Sequence, residues 1–298
     1  MKGMVPCICM VLIYLPCLSF AQVTEKIMEK AESYEVVVRK LSKAPTIDGD
    51  ASDWSETPAN VIRISPAQAD DPLNHLGTVD VVLKAGYYDG SIYLVVKWPD
   101  ATENRTHNTW VWDKAKQRYL AGDDKEDGIA LKFDMGGDFD YCMLTGKEYM
   151  ADVWTWRAAR TDPAGLAEDG MHVFSRHAIA RAGAKQILNG PGEIWIKRTA
   201  DKGSKIYLIN FPSEYVADRV PRYTIQPDPF GSVADVTAKG KWADGFWTVE
   251  FMRKFDTGHD DDVQFELDKP IKGAIAVFDN AEAYHHSTSG TITFRFEP

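Results

Sequence analysis

The chain has 298 residues, 44% of them hydrophobic, with 44 acidic against 34 basic side chains and a formal net charge of −10. That balance argues against nucleic acid or an anionic membrane surface as partner, since both attract cationic faces. Three of the four cysteines (Cys7, Cys9 and Cys17) fall in the first 21 residues, so only Cys142 remains beyond them. A disulfide framework is excluded, and the fold must be held by its core.

Residues 1–21 read as an export signal. Lys2 supplies the positive start, residues 5–20 are an apolar stretch, and Ala21 is a small residue suited to cleavage before Gln22. The stretch contains Pro6 and Pro16 and is shorter than the roughly 20 residues of a spanning helix. The expected mature chain is therefore 22–298, a single domain exported to a periplasm or beyond. No integral membrane segment is expected after cleavage.

Along that mature chain the pattern is β. Residues 34–38 (YEVVV) form a β-branched run, residues 46–50 a turn, and Trp54 a core plug. Strands follow at 79–85 and 91–98, separated by the turn Tyr88-Asp89-Gly90. Residues 128–133 and 152–156 alternate, the latter with Val153 and Thr155 on one face and Trp154 and Trp156 on the other. Further strands are expected at 194–198, 245–253, 263–267, 274–278 and 291–296. Residues 161–169 and 178–191 read as loops, with some helix around 178–188. Residues 212–229 carry four prolines and read as a long excursion. The sum is an all-β fold: an immunoglobulin-like antiparallel β-sandwich with long loops and a few short helices.

Chemistry is sparsely marked. There is no GxSxG motif, and no carboxylate pair stands out from the acidic background. The cluster Gly258-His259-Asp260-Asp261-Asp262 reads as a solvated turn, and residues 123–128 lack the spacing of a calcium loop. Adjacent His285 and His286 point different ways on a strand, which makes joint zinc ligation awkward. Met143 and these histidines offer a thioether and an imidazole, the ligand types of a low-spin haem. No CxxCH is present, so a haem would be held without covalent attachment. Taken alone, a methionine in a β protein is a core filler, and paired tryptophans are packing residues.

The stretches PTIDGDASDW (45–54), Trp98-Pro99-Asp100, Asp127-Gly128, Met143 with DVWTWRA (152–158), WTVEF (247–251) with Arg253, and Val277-Phe278-Asp279-Asn280 to His285 give the chain a family likeness. It resembles the haem-binding domain of ethylbenzene dehydrogenase γ-subunits, the cytochrome b subunits of periplasmic molybdenum enzymes, and related exported cytochromes. The resemblance implies one non-covalent haem b and an electron-transfer role instead of catalysis. It also implies a redox partner, either molybdenum-enzyme subunits or a c-type cytochrome. By the same likeness Met143 would ligate iron, with Met150 as the other candidate, and His285 would be the opposite ligand, with His286 next. Trp154 and Trp156 would line or support the pocket, and Arg157 would pair with a propionate. The opening PTIDGDASDW also resembles family 9 carbohydrate-binding modules, so a glycan-binding sandwich without haem is the alternative.

Overall fold

The computed structural model describes residues 32–68, 71–143, 145–179, 184–189, 192–281 and 285–298. The expected export signal and its cysteines lie outside these residues.

Strands account for nearly all the regular structure. In the first half these are β1 (Tyr34–Lys40), β2 (Asn60–Pro66), β3 (Val79–Tyr88), β4 (Ser91–Pro99), β5 (Trp110–Asp113), β6 (Arg118–Ala121), β7 (Gly128–Gly137) and β8 (Tyr149–Arg157). Then come β9 (Leu166–Ala167), β10 (Met171–Ser175), β11 (Ala184–Asn189), β12 (Gly192–Arg198), β13 (Tyr207–Ile209), β14 (Arg219–Val220) and β15 (Tyr223–Ile225). The chain closes with β16 (Val236–Ala243), β17 (Phe246–Lys254), β18 (Ile271–Phe278), β19 (Ser287–Thr288) and β20 (Ile292–Phe296). Helix among the described residues amounts to three short 3-10 turns, at Ala51–Trp54, Asp162–Ala164 and Ser232–Ala234.

Two layers make the sandwich. One runs β2-β3-β4-β17-β16-β9, and the other runs β11-β12-β10-β8-β7-β18. Hydrogen bonding continues round the corners, where β19 bridges β18 to β2 and β1 joins β20 to β3. The pairs are antiparallel except those of β1, which runs parallel to both β20 and β3. This is the β-sandwich expected from the alternation, with parallel pairing at one corner.

The period of two decides what the core contains. Ile129 and Leu131 on β7 face inward beside Trp156 and Trp154 on β8, and both tryptophans are fully buried. Trp156 meets Trp247 of the opposite layer edge-on, with ring centroids 5.0 Å apart. It also packs closely against β16, where a Cβ on Gly240 would come within 2.2 Å of its ring. Trp54 is the expected plug: its Nε1 donates to Glu250 Oε1 at 2.7 Å. The other carboxylate oxygen of Glu250 accepts from the amides of Asp48 and Gly49, at 3.0 and 2.7 Å. The 46–50 turn is thereby seated on β17. Gly49 is required there, because its φ is +82° and Lys241 leaves no room for a Cβ.

Several local expectations give way to tertiary context. Residues 263–267 have strand spacing, and Val263 and Phe265 are buried, yet they join no sheet. The Val263 amide goes instead to Asp152 and its carbonyl accepts from Arg253. Residues 184–189, placed within a stretch expected to hold some helix, form β11 against β12. The long excursion at 212–229 holds β14 and β15. In the 258–262 turn, expected to be solvated, Asp261 and Asp262 are buried and accept from Ser232. No described helix is long and apolar enough to cross a membrane.

Candidate functional site

The outer face of the second layer carries the site. On β8 the side chains of Val153, Thr155 and Arg157 point away from the core, and on β7 those of Ala130 and Lys132 do the same. On β18 the outward positions are Ala274, Ala276 and Phe278. Register then aligns the small ones: Thr155 pairs with Ala130, Ala130 with Ala276, and Ala276 with Thr288. Four adjacent strands thus present a row of short side chains, a flat floor between taller neighbours. The resulting cleft measures about 250 Å³, below the usual range of ligand-pocket volumes (roughly 300–1,000 Å³).

Taller residues form its walls. His172 and Phe174 stand on β10, Arg198 on β12, and His286 just ahead of β19. Met143 enters from the β7–β8 connection. Lys132 holds that connection in place: its Nζ donates to the carbonyls of Asp140 and Tyr141, at 2.6 and 2.9 Å, and to the Tyr149 hydroxyl at 3.1 Å. Phe139, Tyr149, Ala151, Val153, Phe174, Ile194 and Ile196 make a small second core beside the cleft, and Met143 packs on it. The Met143 sulfur accepts from Arg198 at 2.8 Å.

Charge in the cleft is opposite to that of the whole chain. Lys132, Arg157 and Arg198 line it against Glu168 and Asp169, and Arg157 reaches Glu168 at 3.3 Å. Burial pushes the Lys132 ammonium down to about 8. Burial, together with the charges of Arg198, Lys132 and Arg157, pushes the His172 imidazole down to about 3, so His172 is neutral at pH 7. Its folded value lies below the ordinary 6.5. The unfolded chain therefore takes up a proton below about pH 6.5 that the fold refuses, and stability is lost as the pH falls from there towards 3. A His172→Gln variant should accordingly gain on the parent between pH 7 and pH 5 in urea-midpoint measurements. A constant difference between the two proteins would contradict the burial of a neutral His172.

The sequence candidates are divided by the fold. Met143, Arg157 and His286 line one cleft. His285 does not join them; its Nδ1 lies 2.8 Å from Asp71 Oδ2, and this contact holds the Asp71 carboxyl below its usual range. Trp154 and Trp156 lie behind the floor with no exposed surface and do not line the cleft, because they occupy the inward positions of β8. Trp154 packs on Phe133 and Phe265, while Trp156 Nε1 donates to Asp162 at 3.0 Å. Met150 is 41% exposed and does not line the cleft. The sequence reading missed His172, Lys132, Arg198 and the floor. The floor had a visible signal, the small–large alternation of Ala274-Ile275-Ala276-Val277. His172 and Arg198 had none, since only the pairing of β10 with β12 sets them opposite each other.

No curated protein matches the chain. Among solved structures it is similar to a putative carbohydrate-binding protein from Bacteroides uniformis, at 9% identity and a TM-score of 0.44, covering 89% of this chain and 99% of that one. It is also similar to a family 9 carbohydrate-binding module from Caldicellulosiruptor kristjanssonii solved with cellotriose, at 12% identity and a TM-score of 0.39, covering 90% and 95%. The family model described as ethylbenzene dehydrogenase matches residues 51–289. That span includes every strand of the cleft, and the chain belongs to the ethylbenzene dehydrogenase family.

Proposed function

We propose that this chain is an exported electron-transfer subunit or carrier that binds one haem b non-covalently in the cleft and transforms no substrate itself. The observation that carries the proposal is that Met143 and His286, remote in sequence, both line the one cleft whose floor is the row of Thr155, Ala130, Ala276 and Thr288. The short side chains leave room for a planar macrocycle, and its propionates need cations, which Arg157 and Arg198 supply. The donor set therefore fits the group.

Haem, when bound, would supply a one-electron iron couple, and a thioether and an imidazole as its ligands would favour the reduced state. The protein's part is positional. Lys132 fixes the connection that carries Met143, and His286 is set by the β18–β19 pairing and packs on Phe278 with ring centroids 5.1 Å apart. The Arg198 guanidinium donates to the Met143 sulfur and orients it, and the sulfur's second lone pair would serve as the ligand. Neutral His172 offers a second imidazole on the same cleft. The partner is a redox protein, either molybdenum-enzyme subunits or a c-type cytochrome, and the compartment is periplasmic or otherwise exported.

The test is haem titration of the purified protein, followed by absorption spectra before and after dithionite. A sharp Soret band with resolved α and β bands is expected in the parent and in His285→Ala. Both Met143→Ala and His286→Ala should lose the six-coordinate spectrum. A featureless spectrum after titration sinks the reading. It would favour the second one, glycan binding, which has its own observation. On the small β14-β5-β6 sheet, Trp112 packs against Tyr119 and Tyr215, and Trp110 packs against Phe211, with Tyr215 and Phe211 more than half exposed. Fluorescence quenching by a glucan oligosaccharide, lost in Trp112→Ala, would then identify that surface.

A further inference from the structure

Away from the cleft, three aspartates converge where the two layers end. Asp100 directly follows β4, Asp127 directly precedes β7, and Asp279 directly follows β18. Gly128 pairs with Phe278 across β7 and β18, so Asp127 and Asp279 extend that ladder by one residue on each side. Asp100 arrives from the opposite layer. One carboxylate oxygen from each of the three lies within 4.8 Å of the others.

No cation among the described residues lies within ion-pair distance of them. Asp127 is fully buried; it accepts from the amides of Asn104 and Asn280, at 2.7 and 2.9 Å, and from Trp247 Nε1 at 2.9 Å. Asp100 is 3% exposed, and its Oδ1 accepts from the Thr102 amide at 3.0 Å. Its Oδ2 is buried with no hydrogen-bond partner among the described residues. No ion pair between described residues involves any of the three. Two other acidic groups of similar spacing differ in this respect. Asp152, Asp169 and Asp262 surround Arg253, and Asp235 and Asp262 are held by His259. Each of those has a cation of its own. The Asp100 group has no ion pair of its own among the described residues, His75 acting on Asp279 only from longer range. Asp100 Oδ2 has Trp98 Nε1, itself buried and without a close partner, as its neighbouring donor, and a buried carboxylate held so loosely is costly unless a ligand takes it up.

From this geometry we infer that Asp100, Asp127 and Asp279 form a calcium site that ties the end of β4 to the ends of β7 and β18. The donors are carboxylate oxygens without nitrogen or sulfur, which selects a hard cation. Three carboxylates from three separate segments give an adaptable oxygen set, which suits calcium's long, flexible coordination better than magnesium's strict octahedron. Water completes the coordination. The site is independent of the haem reading and stands whether or not the cleft takes a cofactor.

The test uses the purified full chain, stripped with a chelator and titrated with calcium chloride, and separately with magnesium chloride. Calorimetry is expected to give about one calcium per chain, and saturating calcium should raise the melting temperature by roughly 5 °C. In Asp100→Asn and Asp279→Asn the affinity should fall at least about tenfold, while the metal-free proteins melt no lower than the metal-free parent, because each change removes repulsion. Asp279 is only half-buried, so Asp279→Asn carries the test if Asp100→Asn does not fold. No heat and no melting shift at millimolar calcium would overturn the inference. So would a shift that persists in both variants, or an equal response to magnesium.

Discussion

Replacing Arg253 by methionine is expected to lower the unfolding free energy by about 3–5 kcal/mol. Methionine keeps most of the aliphatic packing but removes the fully buried cation at the centre of the Asp152, Asp169 and Asp262 network. Arg253 touches Asp152, lies 3.5 Å from Asp169 and 3.9 Å from Asp262, and donates to the Val263 carbonyl. Its guanidinium also sits 4.9 Å from the centre of the Trp154 ring, which backs the cleft floor. Burial and the neighbouring carboxylates already raise the Asp169 carboxyl well above its ordinary value, and burial pushes Asp262 up to about 6. Without the cation both rise further. A carboxyl whose folded value exceeds its unfolded one stabilises the fold at low pH, and that contribution is lost as the pH climbs through the folded value. The deficit of the variant should thus be larger at pH 8 than at pH 5. Urea unfolding at both values measures it; a loss below about 1 kcal/mol, far under the range for a broken buried pair, or one indifferent to pH, would contradict the account.

Filling the floor should have the second large effect, on binding instead of stability. Ala276 lies between Ala130 and Thr288 in the row of short side chains, and its own side chain is half-buried on the outer face. In Ala276→Phe a ring would stand where a flat ligand must lie, while the core behind β18, built from Ile275 and Val277, is untouched. Haem affinity should fall about 100-fold or more, equivalent to about 2.7 kcal/mol, with the melting temperature near that of the parent. Ala276→Ser, which adds one hydroxyl, should bind nearly as the parent does. Soret titration of the three proteins reads the result. Undiminished binding in Ala276→Phe would place any haem elsewhere on the chain.

Much of the sandwich was legible because strand alternation is local. Residues 128–133 and 152–156 show it plainly, and it correctly assigned Trp154 and Trp156 to the face opposite Val153 and Thr155. The same reasoning faltered where an apolar rhythm had no ladder to join, as at 263–267, where Arg253 and Asp152 take the backbone groups that a neighbouring strand would have used. It also faltered at 184–189, whose conformation is set by pairing with β12.

The site divides along the same line. A methionine and a histidine pair can be picked out of a sequence by ligand chemistry, and likeness to a family can propose that they act together. Which histidine enters the cleft cannot be read that way: His285 and His286 are chemically identical, and Asp71 holds His285 away from it. Lys132, His172 and Arg198 carry no motif at all. By itself the sequence determined the class of fold, the inward and outward faces of most strands, and the family, because these follow from neighbours along the chain. Strand order and register decided the cleft, its floor and its cations, and also the three aspartates at the end of the layers. Those contacts join residues far apart in sequence: strand pairing within the second layer assembles the cleft, and packing of the two layers brings Asp100 to Asp127 and Asp279.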